Sequence, residues 1–386
     1  MGLLKNNILI TGGAGFIGQH LCRSLLANGY SVRVLDNFTP QVHGDNANLS
    51  KDLLPNIDIV RGDIRNHDTV LRAINGVDVV IHLAAETGTG QSIYEIDRYF
   101  SVNVQGTATM LQLLQNHSCG QKVSSIIVAS SRAVYGEGSY TCATHGLVYP
   151  ESRTYENLKS GNFEPLCPEC GQEVSIVPTE ESAPFNPLSV YGLTKQVQEQ
   201  AVLMFARIRG INGFALRYQN VYGPGQSLKN PYTGILAVFA NLARQGQLID
   251  IYEDGLESRD FVFVDDIADA TLRAVNFSGK FVGALNVGLG ESVCVARVAD
   301  EINNYFGGRS EIKTTGFFRL GDIRHNKASI TKLKTVLDFT PSITFQKGLH
   351  SFLAWAEKQP LEDSGAYQQA FEELREHGLV GEGRKS

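Results

Sequence analysis

Residues 8–29 read ILITGGAGFIGQHLCRSLLANG. A short β-branched run leads into Gly12, Gly15 and Gly18, and the chain then continues in a helical apolar rhythm. Glycines at a strand-to-helix junction let the backbone approach a pyrophosphate, whose charge is stabilised by the amides at the helix N-terminus. Gly12, Gly15, Phe16, Ile17 and Gly18 are therefore candidate dinucleotide contacts. A glycine triplet alone is weak evidence, but here the second strand, SVRVL at 31–35, ends on Asp36, followed by Asn37. A carboxylate there accepts hydrogen bonds from the ribose hydroxyls of NAD and repels the 2′-phosphate of NADP, so NAD is the expected cofactor. The competing reading of Asp36 is a solvated turn residue. RGDIRN at 61–66 adds Asp63, suited to the adenine amino group, with Ile64 beside it. HLAAE at 82–86 adds Leu83 and the small Ala84 and Ala85, which let the chain pass close to the cofactor.

The same alternation extends outward from this motif. NNILI, SVRVL, IDIV, VDVVIHLA and VSSIIVAS are short β-branched runs, each followed by a polar or helical segment, with helices expected over 15–28, 93–116 and 189–209. That pattern predicts an α/β fold with a Rossmann-type, doubly wound parallel sheet. The division expected is 1–220 for the dinucleotide domain and 221–386 for a smaller substrate lobe, with a strand near 259–264 returning to the first. Residues 140–178 show no useful period and read as an insertion. A net charge of −6 with scattered Lys and Arg argues against a nucleic-acid surface. No apolar run of about 20 residues exists to span a bilayer. Residues 1–10 run straight into the glycine motif rather than a cleavable signal, so the expected location is cytoplasmic and the expected partner a small molecule.

Chemistry enters with SVYGLTKQVQEQAV, which holds Tyr191 and Lys195. Four residues apart on a helix, they share a face, so the ammonium can lower the phenol from its pKa of about 10 and make it a general base. VASSRAVYG, at the end of the fifth strand, offers Ser130 and Ser131 as the accompanying hydroxyl. Such Tyr–Lys pairs arise by chance in many helices; the glycine motif upstream makes chance a poor explanation.

TGGAGFIG, GDIR, HLAA, SSRAVYG, YGLTK, RYQNVYGPG, ESRDFVFVDD and RLGDIR occur in order from residue 8 to about residue 325. In these motifs the chain resembles the extended short-chain dehydrogenase/reductase family, the nucleotide-sugar epimerases and dehydratases. The resemblance implies Ser131 as the catalytic hydroxyl, Tyr191 as the base and Lys195 as its partner, with Asn103 a structural, cofactor-adjacent residue. It implies Asn220, Arg259 and Arg319 as contacts to the diphosphate of a nucleotide-diphosphate sugar, and a homodimer through the helices near 93–116 and 189–209. The family's dehydratases carry carboxylates just after the catalytic hydroxyl, where this chain has Arg132 and Ala133. Without that acid, 4-epimerisation through a transient 4-keto sugar is favoured. The 217–236 loop and the cysteine-bearing insertion are most similar to the branch acting on dTDP-6-deoxyhexoses such as dTDP-L-rhamnose. A nucleotide-4-keto-sugar reductase, a CDP-sugar 2-epimerase and, outside catalysis, an NAD-sensing scaffold are the alternatives.

The insertion has a chemistry of its own. Cys142 and His145, then Cys167 and Cys170, form two knuckles, and three Cys with one His make a closed tetrahedral zinc set of the structural kind. A chance cluster or a disulfide is the competing reading. Cys22, Cys119 and Cys294 read as buried or incidental.

Overall fold

The computed structural model describes residues 6–44, 47–229, 234–362 and 365–384. Residues 1–5, read above for a leader, residues 230–233 of the 217–236 loop, and the last two residues of the tail lie outside the described residues.

Seven parallel strands form the central sheet in the order Val282–Val287, Asn212–Tyr218, Ser125–Ser131, Val79–His82, Asn7–Thr11, Ser31–Asp36, Ile57–Arg61. Their residues are apolar on both faces because helices cover both faces. Ile8, Ile10, Ile81 and Ile127 enter one buried cluster, and Leu9, Val80, Ile126 and Val128 enter the other. The first helix, Phe16–Ala27, and the Tyr191 helix, Val190–Arg209, fall where the apolar period put them. The helix expected over 93–116 begins only at Ile96 and carries a π-helical stretch, Phe100–Gln105, before continuing as Gly106–Asn116. A widened turn of this kind re-aims one side chain. Here Asn103, fully buried, accepts from Glu86 N (2.7 Å) and donates to Thr194 Oγ1 (2.9 Å), tying the loop after Val79–His82 to the Tyr191 helix.

One expected strand pairs elsewhere. Phe261–Phe263 does not rejoin the central sheet; it pairs in parallel with Asn220–Tyr222, and Ser258–Arg259 pairs with Val293–Cys294. The strand that returns is Val282–Val287, beside Asn212–Tyr218. An apolar run announces a strand but not its partner, and VGALNV, with a glycine and an asparagine, lacked the signal that FVF has. The helix Val264–Val275 follows the chain back, packing Ile267, Ala270 and Ala274 against Leu21 and Leu25. Residues beyond 220 thus contribute a strand and a helix to the dinucleotide domain. A separate cluster of Tyr222, Phe239, Phe261, Phe263 and Phe352 forms the core of the smaller lobe. Within 140–178 the elements are short: Tyr140–Cys142, Gly146–Val148 and Ser175–Ile176 make a three-stranded sheet beside the helix Tyr155–Lys159. Among the described residues no helix is long and apolar enough to cross a membrane.

His82 ends the fourth strand fully inside the protein, its Nδ1 at 2.7 Å from Thr11 Oγ1 and its Nε2 at 2.9 Å from Thr107 Oγ1. Burial and the charge of Lys195 hold it down to about 3. Below about pH 6.5 the unfolded chain therefore takes up a proton that the folded chain refuses, and stability falls with pH across that window. His82→Gln keeps a neutral donor and acceptor, so urea unfolding should lose this part of the acid sensitivity. Parallel wild-type and variant stability curves between about pH 7 and about pH 4 would contradict the assignment.

Candidate active site

The carboxyl ends of the central strands open into a cleft of about 440 Å³. Gly12, Gly15, Phe16, Ile17, Gly18, Asp36, Asn37, Ile64, Leu83, Ala84 and Ala85 line it, together with Ser131, Tyr191 and Lys195. The glycines are sterically required. A Cβ on Gly12, whose φ is +70°, would lie 2.7 Å from Ala84 N, and one on Gly18 would lie 2.5 Å from Gly13 O. The helix starts at Phe16, so the amides of its first turn have no acceptor within the helix. Asp36 is fixed in the wall, accepting from Ala14 N (3.0 Å) and Phe38 N (2.8 Å). This is a cradle that fits the pyrophosphate and ribose of a dinucleotide.

Two expected cofactor contacts do not line the cleft. Asp63 is taken up by Arg65, whose Nε and NH2 each donate to it at 2.8 Å, and this hydrogen bonding holds its carboxyl below the usual range. Asn103 is occupied by the tie described above. In the other direction, Tyr218, Gln219, Val221 and Gln226 line the cleft, although of the RYQN motif only Asn220 had been singled out.

Tyr191 is presented by the first turn of its helix, capped by Ser189, whose hydroxyl accepts from Gly192 N at 3.1 Å. That turn lies directly on the Arg132–Tyr135 turn: a Cβ on Gly192 would come within 2.6 Å of Ala133 O. The packing brings the Ser131 hydroxyl beside Tyr191 in the cleft wall. Lys195 is buried, donates from Nζ to Ala129 O at 3.0 Å, and lies 6.0 Å from the Tyr191 ring centroid. The charges differ from the sequence expectation. Desolvation pushes Tyr191 up, opposed by the nearby Ser131 hydroxyl and the Arg132 charge, and burial brings Lys195 down to about 7. Arg132 is thus a cation acting on the phenol that the i, i+4 spacing did not announce. Burial and the adjacent Arg259 lower Arg132 itself to about 10.

A buried network not foreseen from sequence braces this helix. Glu199 accepts from Arg217 NH2 at 2.6 Å and from Ser130 Oγ at 2.6 Å, joining the helix to both neighbouring strands. Asn220, Arg259 and Arg319 lie outside the cleft lining. Arg259 donates to the carbonyls of Arg324 (2.9 Å) and Ile323 (3.0 Å), and Arg319 stacks over Tyr252 with its centre 4.9 Å from the ring centroid. Asn220 Oδ1 and Arg319 Nε are buried without a hydrogen bond among the described residues.

The insertion gathers Cys142, His145, Cys167 and Cys170 so that one ligand atom of each lies within 4.8 Å of the others. Cys142 Sγ is 3.7 Å from Cys170 Sγ and from His145 Nδ1, and Cys167 Sγ is 3.5 Å from His145 Nδ1. A tetrahedral Zn²⁺ with Zn–S of about 2.3 Å needs S···S edges of about 3.8 Å. A disulfide needs about 2.05 Å, so the spacing fits a metal and not a bond. His145 turns its other nitrogen toward Glu169 at 3.7 Å, an outer partner of the kind that orients metal-bound histidines.

Comparison with known proteins follows the same lines. A profile of the NAD dependent epimerase/dehydratase family matches residues 8–159 and 167–288. The dTDP-L-rhamnose 4-epimerase of Burkholderia thailandensis is 36% identical over 353 residues, covering 90% of this chain and 94% of that protein. The structure is similar to the UDP-N-acetylglucosamine 4-epimerase of Methanobrevibacter ruminantium in complex with UDP-N-acetylmuramic acid, with TM-score 0.74, 28% identity, and coverage of 92% of this chain and 98% of that one. It is also similar to the UDP-glucose 4-epimerase of Thermus thermophilus in complex with NAD, with TM-score 0.72, 27% identity, and coverage of 92% and 100%.

Proposed function

Because the chain belongs to the NAD-dependent epimerase/dehydratase family, we propose that it is a nucleotide-sugar 4-epimerase acting on a dTDP-6-deoxyhexose such as dTDP-L-rhamnose. The observation that carries the reading is the meeting of Ser131, Tyr191 and Lys195 at one end of the glycine-lined cleft. Arg132 and Ala133, rather than an acid, follow the serine. The 36% identity to a dTDP-L-rhamnose 4-epimerase supports the narrower substrate.

NAD, held by Gly12, Gly15, Phe16, Ile17, Gly18 and Asp36, supplies a hydride acceptor and donor when bound. The protein's part is the proton and the grip. Tyr191, beside Ser131, removes the proton of the sugar 4-hydroxyl and later returns one to the 4-oxygen. Ser131 holds that oxygen in register with the phenol. Lys195 is close enough to Tyr191 to stabilise the phenolate whenever it is protonated. Inverting the centre requires the 4-keto sugar to present its other face, so the sugar must be held loosely and the diphosphate firmly. The orphaned buried Nε of Arg319 suits the second task, since it can donate to a phosphate oxygen. In the insertion, Cys142, His145, Cys167 and Cys170 hold a structural Zn²⁺, a role that leaves no coordination position for substrate.

Incubation with dTDP-, UDP-, GDP- and CDP-sugars without added reductant, followed by NMR of the products, tests the activity. The expected product is the 4-epimer of a dTDP-6-deoxyhexose, formed with no net consumption of cofactor. Turnover that stops unless reduced cofactor is added in stoichiometric amount would assign a reductase instead.

A further inference from the structure

The insertion is built so that its fold depends on its ligands. Its buried apolar cluster is Tyr140, Cys142, Val148, Cys167 and Val174, of which Cys142 and Cys167 belong to the metal set. Strands of two or three residues and a helix of five add little cooperative stability. A core this small is ordinarily closed by a metal or a disulfide, and metal-binding free energy then becomes folding free energy.

The same insertion grips the segment around the two arginines assigned to the diphosphate. Glu164, close in sequence to Cys167, accepts from Arg324 Nε at 2.8 Å and lies 3.2 Å from His325 Nε2. Arg153, on the same insertion, donates to Asp322 O at 3.0 Å, to Phe163 O at 3.0 Å and to Glu253 at 2.8 Å. Segment 322–325 is therefore held from the insertion side, and it is the carbonyls of Ile323 and Arg324 in this segment that aim the guanidinium of Arg259. Arg319 is supported separately. Its chain neighbours Phe318 and Leu320 pack against Leu158 and Phe163 of the insertion. Two arginines that are distant in sequence thus rest on one insertion through two different kinds of contact, one ionic and one apolar.

We propose that the Cys142–His145–Cys167–Cys170 insertion, closed by Zn²⁺, is the device that positions Arg259 and Arg319 for the nucleotide diphosphate, with Arg153 and Glu164 as its positioning residues. The inference rests on the assignment of those arginines to the diphosphate, within the reading of the site above. It separates two functions of the enzyme. Nucleotide grip depends on the metal, whereas among the described residues none that lines the cleft of Gly12–Gly18 comes from the insertion.

The test uses the purified full-length protein, elemental analysis for zinc, calorimetric titration with dTDP and with UDP, and the NAD released on denaturation. Wild type should contain about one zinc per chain and bind at least one of the two nucleotides. Cys167→Ser should lose the zinc and bind that nucleotide about ten-fold or more weakly, while retaining NAD as wild type does. Glu164→Gln leaves all four ligands in place; it should keep the zinc and weaken nucleotide binding in the same direction. Zinc-free wild type, wild type that binds neither nucleotide, Cys167→Ser with wild-type affinity, or parallel loss of NAD and nucleotide from either variant would each overturn the proposal. The readout is affinity rather than turnover, so a failure to epimerise any sugar would count against the activity alone.

Discussion

Tyr191→Phe should lower turnover by about 10²–10⁴-fold, the range that a positioned general acid–base supplies. The phenol lies beside Ser131, and the turn that presents it is fixed by the Ser189 cap and by contact of Gly192 with Ala133 O. Removing one oxygen from so constrained a ring leaves its packing intact, so the loss should fall on kcat with little change in KM. The retained NAD should match wild type, because the cradle at Gly12 and Asp36 is built by other segments. Two electrostatic facts sharpen the test. Desolvation raises Tyr191, and Arg132 is an opposing cation. The acidic limb of the kcat profile should therefore move to higher pH in Arg132→Gln, where the phenolate loses its nearby charge, and return in Arg132→Lys. A Tyr191→Phe enzyme whose steady-state turnover stays within ten-fold of wild type would remove the basis of the proposed chemistry.

The cofactor half of the site was legible because its constraints are local. Gly12, Gly15 and Gly18 are read from one turn, and Asp36 from the end of the adjacent strand, so no long-range pairing had to be known. Tyr191 and Lys195 were legible for the same reason, one helix fixing both. What sequence could not give was partnership across the chain. Asp63 has a carboxylate of the right kind in the right motif, yet Arg65, two residues on, takes both its oxygens. FVF at 261–263 is an excellent strand whose partner, Asn220–Tyr222, lies 41 positions upstream in register, and nothing in either segment names the other. The ligand set in the insertion was visible from spacing alone, whereas its grip on residues 322–325 depends on pairs such as Glu164 with Arg324 that have no sequence signature. For Tyr191 and Lys195 the i, i+4 spacing sets proximity, but burial, which raises the phenol and lowers the amine, is decided by the surrounding fold.

Glu199→Ala is the substitution expected to cost most stability, about 3–5 kcal/mol, because it leaves a buried guanidinium without its counter-charge. Arg217 and Glu199 are both almost wholly enclosed, with Arg217 donating to Glu199 from Nε and NH2 and to Tyr135 OH from NH1 at 2.7 Å. Arg217 also lies over the rings of Tyr135 and Phe185, so it has packing that would resist its expulsion to solvent. The carboxylate holds Ser130 as well, the residue before Ser131, and so fixes the strand that carries the hydroxyl against the helix that carries the phenol. The double variant Glu199→Leu, Arg217→Met decides between loss of the pair and loss of packing. Replacing a buried pair by apolar side chains of similar size is often close to neutral. The double variant should therefore recover most of the stability lost by Glu199→Ala, as read by urea unfolding, while turnover falls because Ser130 has lost its acceptor. A double variant as unstable as the single one would mean that the helix is held by shape at this point and not by charge, and the link from Glu199 to the placement of Tyr191 would have to be given up.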